Sequence, residues 1–251
     1  MGVIHLPPLP GAPRYSGGGL GPILSQARAD LVALAAGGAD GAIVENFGDA
    51  PFQKRADKVV VAAMAIVVRE LARGARIPLG VNVLRSDGAA AVAIAALAGA
   101  AFIRVNVFSG VAFTDQGLIE GGAREVLDLR DRLGVDVAIL ADVHVKHAVH
   151  LGTLEEAARD AARNGADALI VTGGGTGEAA DPGEVEAAKA ASGLPLFVGS
   201  GLRPDNLALF SQADGFIVGT ALKVDGRVEN PVDPDRVRAL VVARDRCRGR
   251  V

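Results

Sequence analysis

Hydrophobic residues in this chain fall into short runs rich in Val, Ile and Leu, separated by longer stretches in which apolar positions recur at helical spacing. A run that is apolar at every position, rather than at alternate ones, suits a strand buried on both faces of a parallel sheet. Six such strands are read at 3–6, 42–46, 79–83, 102–106, 137–142 and 168–172. The stretch 194–222 supplies two more, whose apolar runs break at Val198-Gly199-Ser200-Gly201 and at Val218-Gly219-Thr220. Between them the spacing predicts helices at 24–36, closed by Gly37-Gly38, then 57–73, 87–98 with Ser86 as its cap, 122–133, 153–164 and 182–191. A short helix is expected around 206–210 and a last one at 234–246. Eight strands alternating with eight helices make an α/β chain, and the fold read from it is a (β/α)8 TIM barrel forming one domain over 1–251.

An internal echo supports the count. Related stretches at 38–44, 99–105, 165–171 and 213–218, of the type Gly-Ala-Asp-Gly-Ala-Ile-Val, each introduce an even-numbered strand. Odd-numbered strands are entered instead through Ile77-Pro78, Val135-Asp136 and Leu194-Pro195. The repeating unit is then a βαβα quarter, unless the echo reflects only a shared glycine cap between helix and buried strand. The prolines of Pro7-Pro8-Leu9-Pro10-Gly11-Ala12-Pro13, directly after the first strand, read as a rigid loop at the rim.

Composition narrows the function. With 251 residues, 50% of them hydrophobic, the chain can bury a large core, and its net charge of -3 gives no field for nucleic acid. The arginines at 244, 246, 248 and 250 read as a solvated helix end. A single Cys247 forms no internal disulfide and fits a cytoplasmic protein. No leader is read at the start, and Gly and charged residues interrupt every apolar run before membrane-spanning length, so no integral membrane segment is expected.

In such barrels chemistry sits where strands end, and here those ends are polar. They carry His5, Glu45 and Asn46, Asn82 with Arg85, Arg104 and Asn106, Asp142 with His144 and Lys146, Thr172 to Gly177, Ser200, and Thr220 with Lys223. Asn82 and Asn106 lie between β-branched neighbours, and a bare amide facing a helix would cost about 1–3 kcal/mol, so the barrel interior is expected for both. Asp142, His144 and Lys146 alternate, and a strand continuing through them would point all three one way, as a base with electrostatic stabilisers; the plainer alternative is an Asp–Lys ion pair beside a surface His. Candidate catalytic residues are therefore Asp142, Lys146, His144 and Glu45. Candidate substrate contacts are His5, Asn46, Asn82, Arg104, Asn106, Thr172, Gly173 and Thr176. Gly199, Ser200, Gly201, Gly219 and Thr220 form a candidate phosphate cradle, because glycines beside hydroxyls leave backbone N–H groups bare for an anion. Arg85 and Lys223 would add charge to it or simply lie on the surface. His144, His147 and His150 resemble a metal run, but their expected geometry scatters them; neither a metal nor another cofactor is predicted.

Several stretches taken together resemble the BtpA/SgcQ family over nearly the whole chain. They are IHLPPLPG (4–11), GADGAIVENFGDAPF (38–52), LGVNVLRSD (79–87), FIRVNVF (102–108), TDQG (114–117), ADVHVKHA (141–148), VTGGGTG (171–177), VGSGLRPDN (198–206) and GFIVGTALK (215–223). The resemblance implies a ribulose-phosphate-binding type of TIM barrel. It also implies two functional settings, photosystem I biogenesis for the branch that names the family and carbohydrate-phosphate metabolism for the SgcQ-like branch. Family members carry a few residues ahead of the first strand, so here that strand is expected to fray or the true start to lie upstream. Two functions follow as expectations. One is an isomerase- or lyase-type enzyme acting on a small sugar or nucleoside phosphate, with a homo-oligomer possible. The other is a non-catalytic assembly or stability factor for a protein complex.

Overall fold

The computed structural model describes residues 1–175 and 177–249; Thr176 and Arg250, named above, lie outside them. The chain runs β1 (Gly2–His5), α1 (Gly21–Ala36), β2 (Ala42–Glu45), α2 (Lys58–Ala72), β3 (Leu79–Asn82), α3 (Gly88–Ala98) and β4 (Phe102–Val105). A hairpin of β5 (Val111–Thr114) and β6 (Gly117–Glu120) follows, then α4 (Ala123–Leu133), β7 (Ala138–Val143), β8 (Ala148–His150), α5 (Leu154–Arg163), β9 (Ala168–Thr172) and α6 (Pro182–Ser192). β10 (Leu196–Gly199), a 3-10 turn at Leu207–Phe210, β11 (Gly215–Ile217) and α7 (Pro234–Cys247) complete it. The order β1-β2-β3-β4-β7-β9-β10-β11 forms one parallel sheet. It closes on itself where the Val3 N–H donates to Val218 O and the Val218 N–H to Met1 O, both at 3.0 Å. The protein is a TIM barrel, and only the short seventh helix is reduced to a 3-10 turn.

Side-chain alternation divides the core into two shells. Ile4, Val44, Val81, Val105, Val171 and Val198 point outward under the helices, while Val3, Ile43, Phe102, Leu140, Ile170 and Ile217 fill the barrel. Glycines make room for the interior rings: a Cβ on Gly80 would lie 2.1 Å from the ring of Phe102, its partner across the ladder, and one on Gly215 would lie 2.4 Å from that of Phe197. Two residues further along each strand, the same inward face turns polar. Val3 leads to His5, Ile43 to Glu45, Gly80 to Asn82, Phe102 to Arg104, Leu140 to Asp142 and Ile170 to Thr172, while Phe197 and Ile217 lead to Gly199 and Gly219. The site is the last layer of the barrel.

Four local expectations are corrected. α3 is capped by Asp87, whose Oδ1 accepts from the Ala90 N–H at 3.0 Å; Ser86 instead accepts from the Val107 N–H at 2.9 Å. β1 does not fray, being paired with β2 along its length and buried but for the half-buried His5. Lys223 is neither at the mouth nor on the surface: fully buried, it donates to Asp30 of α1 at 2.6 Å. The fourth is the count of eight strands, to which an antiparallel sheet, β6-β5-β8, laid over one side of the rim, adds three. Its inner residues Ala112 and Ile119 pack with Val107 and Val145, and its outer face sets Leu118, Phe113 and Val149 in one exposed row across the ladder. The arginines at the chain's end reach beneath the barrel, Arg244 to Asp40 and Arg248 to the Asp214 carbonyl.

Candidate functional site

A cavity of about 420 Å³ opens at the C-terminal ends of the strands. Its walls include His5, Glu45, Arg85, Arg104, Asn106, Lys146 and Thr172 together with Gly199 to Arg203 and Gly219 to Ala221. That volume suits a sugar-sized ligand.

Asp142 lies at the centre of a hydrogen-bond network. Arg104 donates to both its oxygens, from Nε at 2.8 Å and from the guanidinium NH2 at 2.9 Å, and Asn106 Nδ2 adds a third bond at 2.9 Å. Asn82 donates in turn to Asn106 Oδ1 and to the Arg104 carbonyl, both at 3.0 Å, so both amides do face the interior. Burial works against the Arg104 charge, but Asp142 and Glu45 outweigh it and hold the guanidinium charged. Asp142 therefore fixes Arg104, with three of its roughly four lone-pair sites engaged by Arg104 and Asn106.

Glu45 is placed differently. Its Oε1 lies 3.8 Å from His5 Nε2 and its Oε2 3.8 Å from the Arg104 guanidinium, and neither separation is a hydrogen bond. Burial raises its pKa, opposed by Arg104 and Lys146, so this is a carboxyl poised for proton exchange. Burial also lowers the pKa of Lys146, whose Nζ approaches Ser200 Oγ at 3.5 Å rather than pairing with Asp142. The Asp–Lys ion pair of the plainer alternative does not form among the described residues.

The strand stops at Val143, and His144 takes a left-handed backbone with φ of 51°, which breaks the alternation that would have aligned it with Asp142 and Lys146. Its ring turns into a separate side cavity of about 350 Å³ and stacks on His150 at 4.6 Å. The histidine run is thus not scattered as expected: two rings stack and His147 lines the mouth. Among the described residues, no group of three or more His, Cys, Asp or Glu side chains is placed to hold a metal ion.

Asn46 is committed to loops. Its Oδ1 accepts from the Leu84 N–H at 2.7 Å and its Nδ2 donates to Asp49 at 3.0 Å, while Asp49 accepts from the Leu9 N–H at 2.8 Å. These bonds lock together the loops after β1, β2 and β3. Gly173 is equally structural, since a Cβ there would lie 2.3 Å from the Glu178 carbonyl oxygen. His5 Nδ1, Asn82 Oδ1 and Thr172 Oγ1 are buried with no hydrogen-bond partner among the described residues, a concentration of unsatisfied groups foreign to a packed core.

Across the mouth, Ser200 and Gly201 take left-handed backbone conformations, φ of 65° and 59°. A Cβ on Gly201 would lie 2.3 Å from the Ala179 nitrogen, and one on Gly219 2.8 Å from His5 Cε1, so both positions demand glycine. Among the described residues no loop hydrogen bond takes its donor from the N–H of Ser200, Gly201, Gly219 or Thr220. These bare amides come from two adjacent strand ends that line one cavity, an arrangement able to hold an anion.

His5 is neutral at ordinary pH: burial, with Lys223, Lys146 and Arg104 nearby, lowers its pKa to about 3. Its 3.8 Å approach to Glu45 is therefore no ion pair. Between about 6.5, its unfolded value, and about 3, the unfolded chain binds a proton that the folded one refuses. Stability should fall as pH drops through that window, and His5→Gln should flatten the slope in denaturant titrations at pH 7, 5 and 4.

A family model described as the BtpA family matches residues 1–246. The chain belongs to that family. An uncharacterized BtpA relative from Thermococcus kodakarensis is 51% identical, covering 96% of this chain and 93% of its own. The photosystem I biogenesis protein BtpA of Synechocystis is 49% identical over 97% of this chain and 86% of its own. Among solved structures, thiamine phosphate pyrophosphorylase from Pyrococcus furiosus superposes with a TM-score of 0.59 at 16% identity, over 91% of this chain and 92% of that one, a likeness of fold.

Proposed function

We propose that this BtpA-family barrel binds a small phosphorylated metabolite in its mouth and transfers a proton on it, as an isomerase- or lyase-type enzyme. The observation that carries the reading is the presence, in one cavity, of the bare amides of Ser200, Gly201, Gly219 and Thr220 together with the carboxyl of Glu45, which has no hydrogen-bond partner among the described residues. Thiamine phosphate, the compound in the name of the pyrophosphorylase that shares the fold, is also a phosphate ester. The cradle holds the phosphate, with Lys146 beside Ser200. Glu45 removes a proton from carbon next to a carbonyl, and the electron pair passes to the carbonyl oxygen, where the Lys146 ammonium stabilises it. The protonated carboxyl then returns its proton to the former carbonyl carbon, while the hydroxyl proton on the first carbon passes to the enediolate oxygen, so that the carbonyl has moved by one carbon. Asp142, Asn106 and Asn82 keep Arg104 aimed at the substrate; His144 takes no part.

Ser200→Asp tests the cradle. Asp tolerates the left-handed backbone, so the fold is kept, while its carboxylate repels the ligand. Calorimetry with ribitol 5-phosphate should show affinity reduced on the order of 100-fold. Equal affinity in the variant sinks the reading. A second reading, attachment to a protein complex, draws on the name of the Synechocystis relative and on the exposed row Leu118, Phe113 and Val149. A stoichiometric partner retained by Ser200→Asp and lost by Phe113→Asp would favour it.

A further inference from the structure

Among the described residues, the buried cations are each matched by a carboxylate with one exception. Arg104 is matched by Asp142, and Lys223 by Asp30. Arg85, 7% exposed and directed into the mouth, has no carboxylate within ion-pair distance among the described residues. Its one hydrogen bond joins a guanidinium NH2 to the Lys146 carbonyl at 2.8 Å, leaving most of a five-donor fork unused. The carboxylates of Asp115, Asp142 and Glu45 act on it only from farther off, and burial lowers its pKa. Holding an unpaired guanidinium out of water costs free energy unless a ligand brings the countercharge. Arg85 follows β3, and the cradle follows β10 and β11; in the eight-strand ring β3 stands directly across from β10.

Resting on the phosphate reading above, we infer that the substrate is anionic at both ends, its phosphate in the cradle and a second oxyanion, carboxylate or phosphate, gripped by the Arg85 fork. Planar bidentate recognition of either group is what a guanidinium provides and an ammonium does not. A cavity of about 420 Å³ limits such a ligand to the size of a short sugar bisphosphate or a phosphorylated sugar acid.

Three unreactive probes separate the possibilities: ribitol 5-phosphate, ribitol 1,5-bisphosphate and 5-phosphoribonate, each titrated calorimetrically into wild type, Arg85→Met and Arg85→Lys. The doubly anionic probes should bind wild type on the order of 30-fold more tightly than the monophosphate. Whichever of the two binds more tightly names the second group. Arg85→Met should erase that advantage and leave monophosphate affinity unchanged, and Arg85→Lys should recover only part of it. Ligand-free Arg85→Met should melt no lower than wild type, since it removes an uncompensated buried charge, which shows that the loss is not one of folding. Monophosphate binding with no gain from a second anion, or an equal loss for all three probes in Arg85→Met, overturns this inference and leaves the cradle standing. Failure of every probe to bind wild type overturns both.

Discussion

Glu45→Gln should lower turnover of the phosphorylated substrate by about 10²- to 10⁴-fold, the usual worth of a positioned general base, while its dissociation constant changes little. The substrate is found by incubating wild type with pooled sugar and nucleoside phosphates in D₂O and following loss of C–H signals by NMR. The same variant should be more stable than wild type at neutral pH. Burial raises the Glu45 pKa, so the folded protein holds the proton more tightly than the unfolded chain does, and ionisation above the unfolded value of about 4.3 works against folding. An amide removes that penalty. Asp142→Asn should behave in the opposite way: with Arg104 losing its counter-charge, stability and activity fall together. A Glu45→Gln protein with full turnover, or one less stable than wild type, rules out this assignment.

Lys223→Met should cost about 3–5 kcal/mol, a fall in Tm of roughly 10 °C, because Asp30 would be left buried with one oxygen unpaired. The pair does more than fill space. Asp30 accepts from Lys223 at 2.6 Å and from the Val232 N–H at 2.7 Å, pinning to α1 the segment that follows Thr220. Phosphate affinity should therefore drop along with stability. Asp30→Leu combined with Lys223→Met should regain most of the stability, as apolar replacement of a whole buried pair commonly does. Calorimetric melting of the three proteins decides it, and an unchanged Tm in the single variant would show that the pair is not structural.

What the sequence revealed, and what it concealed, follow from the range of the interactions involved. Strands buried on both faces announce themselves as continuous apolar runs, and the first six strands lie within one residue of their expected bounds. The interior placement of Asn82 and Asn106 was likewise legible, because a strand offers only two faces and an unpaired amide against a helix is costly. His144 escaped because a single left-handed residue ended the alternation just past Val143. The small sheet escaped because Val111–Thr114 and Gly117–Glu120 gain their packing from Val107 and Val145 rather than from any pattern of their own. Lys223 was misplaced because its partner stands 193 residues away, and the thrice-bonded carboxylate of Asp142 could not be told from that of Glu45, which meets no donor at hydrogen-bond distance among the described residues, without seeing which donors each meets. Distant pairing decides protonation, and the linear chain does not display it.

The central claim is that an anion sits on four bare backbone amides at the ends of β10 and β11. A ¹H–¹⁵N correlation titration of the full chain with ribitol 5-phosphate reads those amides individually. The account predicts saturable downfield shifts of the Ser200, Gly201, Gly219 and Thr220 N–H signals, with lesser changes along the mouth at Glu45 and Lys146, and their disappearance in Ser200→Asp. Shifts centred on the His144–His150 side cavity, or none at all in the four amides at millimolar ligand, would contradict it.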